Sequence, residues 1–303
     1  MKVTLWGTRG SIPTPSARHF QTVLFGGDTT CVSVQNGELL LIFDAGSGIR
    51  YLGAEMLRQG GALRASLFFT HVHWDHIQGF PFFAPAFDSR AQLDLYGPGE
   101  AELPGDGSLS FRPADGESLL KKAILGQQQA LYFPVDLSTM ATRMRFFEVD
   151  PKEKVQIDGK TTRLEVSCQK LNHPGGCLGY RVEEISKENG KRRVFCFLTD
   201  TEHPSAGLQP AVQELAHEAD LMIYDAQYTE EEYAEHKGWG HSTWNHGLRE
   251  AEAAGAARVV FSHHDPMHDD SFLLRLEKEA QHAAASLNLE ASFARQFESF
   301  DLS

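Results

Sequence analysis

The segment Thr70-His71-Val72-His73-Trp74-Asp75-His76 constrains this chain more than any other. Four strong metal-ligating side chains, His71, His73, Asp75 and His76, fall within six residues. Ser66-Leu67-Phe68-Phe69 leads into them and has the apolar, aromatic character of a buried strand. The ligands therefore sit where a strand ends and the chain turns. Residues two apart on a strand face the same side, so His71 and His73 can grip one ion together. Asp75 and His76 lie past the turn and can reach a second ion. Histidine accounts for 14 of 303 residues, so three within six is a poor match to a chance polar loop.

The same grammar recurs along the chain. Strands are expected at Lys2–Trp6, Val32–Val34, Leu39–Phe43, Ser66–Thr70, Gln92–Tyr96, Met144–Glu148 and Lys154–Ile157. Others are expected at Arg163–Leu171, Leu178–Glu183, Arg193–Leu198, Leu221–Tyr224 and Arg258–Ser262, and the tail is expected to add an edge strand. Asn36-Gly37 marks a tight hairpin turn. Helical spacing covers Ile49–Gln59, Glu117–Gln129, Val212–Glu218, Tyr228–His236, Trp244–Ala254 and Ser271–Leu287. His173, Asp200 and His263 each follow a strand, as the first four ligands do. His264 competes with His263, but His263 is nearer its strand and Asp265-Pro266 begins a turn.

Seven nitrogen and oxygen donors without a cysteine suit two catalytic divalent ions with open positions, not a closed structural site. Nitrogen-rich donors match zinc best, with manganese or iron next. Asp44 ends a strand before Ala45-Gly46-Ser47-Gly48, so it either orients a ligand histidine or caps the next helix. Arg9, in the turn-rich loop Gly7–Pro13, is read as exposed, and it is a candidate contact for an anionic substrate. Residues about 97–142 read as an insertion into one domain spanning 1–303. Gly97–Arg112 is loop-like there, and Tyr132-Phe133-Pro134-Val135 is either a lid or an edge of the core.

Bulk properties narrow the function. A net charge of -13 with no basic patch argues against long nucleic acids, and Lys191-Arg192-Arg193 reads as a hairpin flank. Cys31, Cys168, Cys177 and Cys196 are widely spaced and read as buried thiols. The N-terminus shows no signal-peptide pattern and no stretch is apolar enough to cross a membrane, so a cytoplasmic protein is expected.

His71-Val72-His73-Trp74-Asp75-His76, a later lone His173, Asp200 after a strand and a final His263 follow one another in order. In this the chain resembles the metallo-β-lactamase superfamily, and Asp44 matches that superfamily's early aspartate. The resemblance runs from the first strand to about residue 270. It implies an α/β fold, the four-layer αββα sandwich. It also implies that His71, His73 and His173 hold one ion, that Asp75, His76 and His263 hold the other, and that Asp200 bridges. Ions about 3.5–4 Å apart can share a hydroxide that attacks the substrate.

Within the superfamily the chain looks most like the phosphodiesterase branch, which includes ribonuclease Z and cyclic phosphodiesterases. Gly240-His241-Ser242-Thr243 and Tyr224-Asp225-Ala226-Gln227-Tyr228 carry that likeness. It implies that His241, at a helix start that favours anions, binds phosphate or protonates the leaving oxygen. Asp225 would hold the His241 ring, where ribonuclease Z has a glutamate. Asp75 would orient the nucleophile, and Ser242 and Thr243 would contact substrate. The RNA-gripping arm of tRNA-processing members falls between the lone histidine and the bridging aspartate. Here His173 and Asp200 are only 27 positions apart, which leaves room for a hairpin and no arm. A small phosphodiester, cyclic or linear, is therefore the expected substrate, with no tRNA, DNA or membrane partner, and a homodimer is expected by analogy. The competing expectations are a hydrolase of a lactone, thioester or β-lactam on the same fold, and a non-catalytic metal or nucleotide sensor.

Overall fold

A computed structural model describes residues 1–60, 63–99, 118–135, 142–151 and 153–302. Residues 100–117 and 136–141 of the expected insertion at 97–142 lie outside the described residues. Within the described part Tyr132 is 69% exposed, not an edge of the core, and Phe133 sets its ring 5.5 Å from that of Phe82. Two sheets form the centre. The first has the order β14(Ser299–Asp301), β1(Lys2–Gly7), β2(Cys31–Asn36), β3(Leu39–Phe43), β4(Arg64–Phe68), β5(Gln92–Pro98), β6(Arg143–Val149). The second runs β13(Glu290–Phe293), β12(Arg258–Ser262), β11(Leu221–Asp225), β10(Arg192–Leu198), β9(Cys177–Ser186), β8(Thr162–Leu171), β7(Val155–Asp158). The expected tail strand is thus two, one at the edge of each sheet: β13 pairs parallel with β12 and β14 antiparallel with β1.

Strand alternation builds the layers. On β3, Leu41 and Phe43 point between the sheets, while Ile42 points to the outer face of the first sheet. On β10, Phe195 and Phe197 face the centre, and Val194, Cys196 and Leu198 face outward. Phe43 meets Tyr180, Phe195 and Phe197 across the gap at ring-centroid distances of 5.6, 5.9 and 5.7 Å. Helix α1(Ile49–Gln59), the one-turn α2(Trp74–Ile77) and α3(Leu119–Gln127) bury apolar residues against the first sheet. α4(Pro210–Ala216), α6(Trp244–Ala254) and α7(Asp270–Ala285) do so against the second. The result is the αββα sandwich. The helix expected from Tyr228 shortens to α5(Glu230–Glu235), because Thr229 caps it through a reciprocal box with Glu232 and Tyr228 is bridged to Thr243 instead.

Direction is what positions the site. β3, β4 and β5 run parallel, so Asp44 and His71 leave the first sheet at the same edge. β8 and β10 are both antiparallel to β9, and β10, β11 and β12 are parallel. The ends of β8, β10, β11 and β12 therefore share one rim of the second sheet. All four cysteines are buried free thiols. Among the described residues no helix is long and apolar enough to cross a membrane.

Candidate metal centre

The two rims deliver their side chains to one point. His71, His73, His173 and Asp200 present ligand atoms within 4.8 Å of one another, and so do Asp75, His76 and His263, and Asp200, His241 and His263. Asp200 joins the sets. Its Oδ1 lies 3.2 Å from both His76 Nε2 and His263 Nε2, and its Oδ2 lies 3.6 Å from His71 Nε2 and 3.8 Å from His173 Nε2. One carboxylate thus turns an oxygen to each group of imidazoles. Asp75 Oδ2 lies 3.2 Å from both His76 Nε2 and His263 Nε2. His73 is partly exposed, and its Nδ1 is 3.2 Å from His173 Nε2.

The imidazoles of His71, His76, His173 and His263 are each aimed from behind, which fixes the nitrogen offered to the centre. Asp44 Oδ2 lies 2.8 Å from His76 Nδ1 and Asp44 Oδ1 accepts from the Thr70 amide, while Gly48, not Asp44, caps α1. The Thr70 hydroxyl reaches Asp44 and also lies 3.0 Å from His71 Nδ1. Gly240 O accepts from His173 Nδ1 at 3.0 Å, and Gln227 Oε1 accepts from His263 Nδ1 at 3.0 Å. The Ser11 amide donates to Asp75 Oδ2 at 2.8 Å. Gly10 must lack a side chain, because a Cβ there would lie 2.4 Å from His263 Nδ1. Ser11, Thr70, Gln227 and Gly240 escaped the sequence reading, because each serves through a partner far off in the chain. Thr70, Gln227 and Gly240 stand inside the motifs and so left a local signal without a role; Ser11 left none.

Charge and protonation fit a bound cation. Burial pushes His71, His73 and His173 below the usual imidazole range, His73 to about 4, so all three are neutral at pH 7, as metal ligation requires. Burial works against charge on His76 and His263 too, but neighbouring carboxylates outweigh it and hold both imidazoles up, His263 at about 9. Asp200 is the strongest of those neighbours for each. The buried Nε2 atoms of His71 and His76 make no hydrogen bond. An unsatisfied buried polar atom costs about 1–3 kcal/mol, and divalent ions answer both the lone pairs and the negative charge.

His241 stands at the edge of this centre. Its Nδ1 lies 2.8 Å from Asp225 Oδ2, and its ring stacks on His263 with centroids 4.9 Å apart at 20°. Asp225 Oδ1 also accepts from the Ser242 and Gln227 amides. Three expectations need correction. Arg9 is fully buried and not exposed. It donates to the carbonyls of Gly26, Asp265 and His268, tying the 7–13 loop to the segment after β12, and burial lowers it to about 10. Ser242 is buried, its hydroxyl placed 2.8 Å from His203 Nδ1 and 3.2 Å from the Tyr224 hydroxyl. Thr243 is buried, caps α6 and donates to Glu230. All three side chains are buried and bonded inside the fold, which argues against a direct substrate contact, although Arg9 Nη2 makes no hydrogen bond. His264 is also buried, with Nε2 on Ala294 O and its ring against Phe25 and Phe293.

Comparison with known proteins agrees with the geometry. The family profile described as "Beta-lactamase superfamily domain" matches residues 41–264. Ribonuclease Z of Salinibacter ruber is 25% identical over 289 residues, covering 85% of this chain and 82% of the relative. The metallo-β-lactamase fold protein YhfI of Bacillus subtilis superposes with a TM-score of 0.63 at 19% identity, covering 99% of this chain and 98% of its own. The short form of human tRNase Z gives 0.63 at 19% identity and covers 100% of both chains. With the profile spanning most of the sequence and the donor set seated where the strands end, the chain belongs to the metallo-β-lactamase superfamily and is a metal-dependent hydrolase.

Proposed function

We propose that the protein hydrolyses a small phosphodiester such as a cyclic nucleotide. The observation that carries this reading is the His241–Asp225 pair, 2.8 Å apart beside the donor cluster. A carboxylate on Nδ1 fixes the tautomer and leaves Nε2 as the nitrogen available to substrate. That is the arrangement needed to hold a phosphoryl oxygen or to deliver a proton to a departing alkoxide. In this reading His71, His73 and His173 would hold one ion and Asp75, His76 and His263 the other, with Asp200, whose two oxygens face the two groups of imidazoles, available to both. Zinc matches the donors best. The ions supply Lewis acidity and an activated water near neutral pH. Asp75, fixed by the Ser11 amide, orients the attacking water. His241 protonates the leaving oxygen while Asp225 stabilises the imidazolium.

Three features favour a small substrate. Between His173 and Asp200 lie only β9, β10 and the turn joining them, with no arm to grip RNA. The net charge is -13. Trp74, 79% exposed, follows His73, and Trp239, 60% exposed, precedes Gly240, so each offers a flat surface to a base. Conversely, the ribonuclease Z likeness favours an RNA substrate, which the test therefore includes. The metal-loaded protein is assayed against a cyclic mononucleotide, a linear dinucleotide, a nitrophenyl diester, a lactone and a precursor tRNA. Diesters are expected to turn over fastest. A lactone turned over faster than every diester overturns the reading, and preferred cleavage of precursor tRNA overturns its small-substrate part. The single domain, the cytoplasmic location and the homodimer are part of the same proposal, and light scattering tests the last.

A further inference from the structure

Glu202 takes no part in the chemistry described above, yet it touches three segments of the centre. It lies two residues beyond Asp200. Its backbone pairs with Asn172, which precedes His173: the Glu202 amide donates to Asn172 O at 2.7 Å, and Asn172 Nδ2 donates to Glu202 O at 2.9 Å. Its carboxylate receives the segment that leads into His241. The Gly238 amide donates to Oε1 at 2.8 Å and the Gly240 amide to Oε2 at 3.0 Å, and the Tyr233 hydroxyl donates to Oε1 at 2.9 Å. Gly238 and Gly240 both have positive φ, 88° and 91°, which turns their amides towards the carboxylate as a small anion nest. The other face of that loop supports the centre, since Gly240 O accepts from His173 Nδ1. The fit is close: a Cβ on Gly240 would lie 2.2 Å from the same Nδ1.

From this geometry we infer that Glu202 is a positioning residue: its carboxylate clamps the 238–240 loop so that Gly240 O aims His173 at its ion and His241 is set beside the centre. The inference rests on the two-ion reading given above. Its negative charge matters, because a neutral amide keeps only one acceptor oxygen and, whichever way it turns, sets its N–H groups against the amide of Gly238 or of both Gly238 and Gly240.

The test is competition with a zinc chelator, in which two bound ions give two phases. His73→Ala, which removes a donor from the His71–His73–His173 set alone, identifies the phase belonging to that ion. Glu202→Gln is expected to weaken that phase by about 10- to 100-fold, the usual effect of losing a partner behind a ligand, and to leave the other phase unchanged. Tyr233→Phe, which removes one hydrogen bond to Glu202 and keeps the charge, is expected to act on the same phase more weakly. A merely structural role moves both phases together or neither, and either result overturns the inference, as does a Tyr233→Phe effect on the other phase. Wild-type protein that binds fewer than two zinc ions sinks the two-ion reading and this inference with it. Two ions held with unmoved affinities in both variants sink the inference alone.

Discussion

Ser11, Asp44, Asp200 and His263 share a left-handed backbone, with φ of 60°, 59°, 53° and 64°. Such a conformation costs a non-glycine residue about 1–3 kcal/mol and persists only where the surroundings over-determine it. Here each is fixed by a bond of the centre: the Ser11 amide to Asp75, Asp44 to His76, and His263 to Gln227, while Asp200 accepts from the Thr199 hydroxyl. Two predictions belong to this scale. Asp44→Asn is expected to lower affinity for the ion at His76 by about 10- to 100-fold, read by metal analysis after dialysis against graded chelator. Unchanged retention of both ions would contradict the role given to Asp44. His241→Ala is expected to keep both ions and to lower turnover of an alkyl diester by about 10²–10⁴-fold. A nitrophenyl diester should suffer less, because its leaving group needs little help from an acid. Equal losses on both substrates would remove His241 as the proton donor.

At the scale of elements, short caps and strand ends set what each side chain can do. α6 begins at Thr243, whose hydroxyl accepts from the His246 amide, and α7 begins at Asp269, which accepts from Phe272. Because Thr243 is used this way, Thr243→Ala is expected to destabilise the protein by about 1 kcal/mol, measured by denaturant unfolding of the metal-free and loaded protein. A neutral effect on stability combined with weaker substrate binding would restore Thr243 to the binding surface. Ser242 shows the same logic. Read in sequence, it stands beside His241 and invites a substrate role. In the fold, the turn into α6 points its hydroxyl inward, to His203 and Tyr224. Adjacency along the chain says little about direction where a strand gives way to a helix.

Across the whole molecule, the centre joins two halves. His71, His73, Asp75 and His76 come from the first sheet, and His173, Asp200 and His263 from the second, so bound ions cross-link them. Protons partly take that role in the metal-free protein. His263 is held up at about 9, chiefly by Asp200 against the effect of burial, whereas its unfolded value is about 6.5. Its contribution to stability is therefore complete below pH ~6.5 and is lost as pH rises through about 9. His73, lowered to about 4 by burial, acts with the opposite sign, and stability is lost as pH falls from ~6.5 towards that value. The metal-free protein is thus expected to melt highest near neutral pH and at lower temperature on both sides. Adding metal should raise the melting temperature and flatten the alkaline fall, because the cation replaces the proton. Thermal melts across pH, with and without chelator, check this; a metal-free profile flat up to pH 9 would show that the His263 proton stabilises nothing.

The sequence by itself determined the metal loop, the order of the other donors and most of the elements. Those properties are local: an apolar alternating run, a turn residue and a ligand at its end all lie within a few positions of one another. It also carried Asp225 and His241, 16 positions apart, through motifs at two strand and helix boundaries. Only the tertiary structure decided which partner each side chain meets. It buried Arg9 against carbonyls from Gly26 to His268, and it turned Ser242 and Thr243 inward. It also brought Ser11 to Asp75 and Gln227 to His263 across 64 and 36 positions. The Arg9 contacts to Asp265 and His268 depend on the two sheets meeting rim to rim and the others on distant loops meeting at the rim of one sheet, and packing at that distance leaves no periodicity along the chain to read. The loop at His71–His76 gathers four of the donors, but what holds its histidines in aim is a set of residues that only the fold assembles.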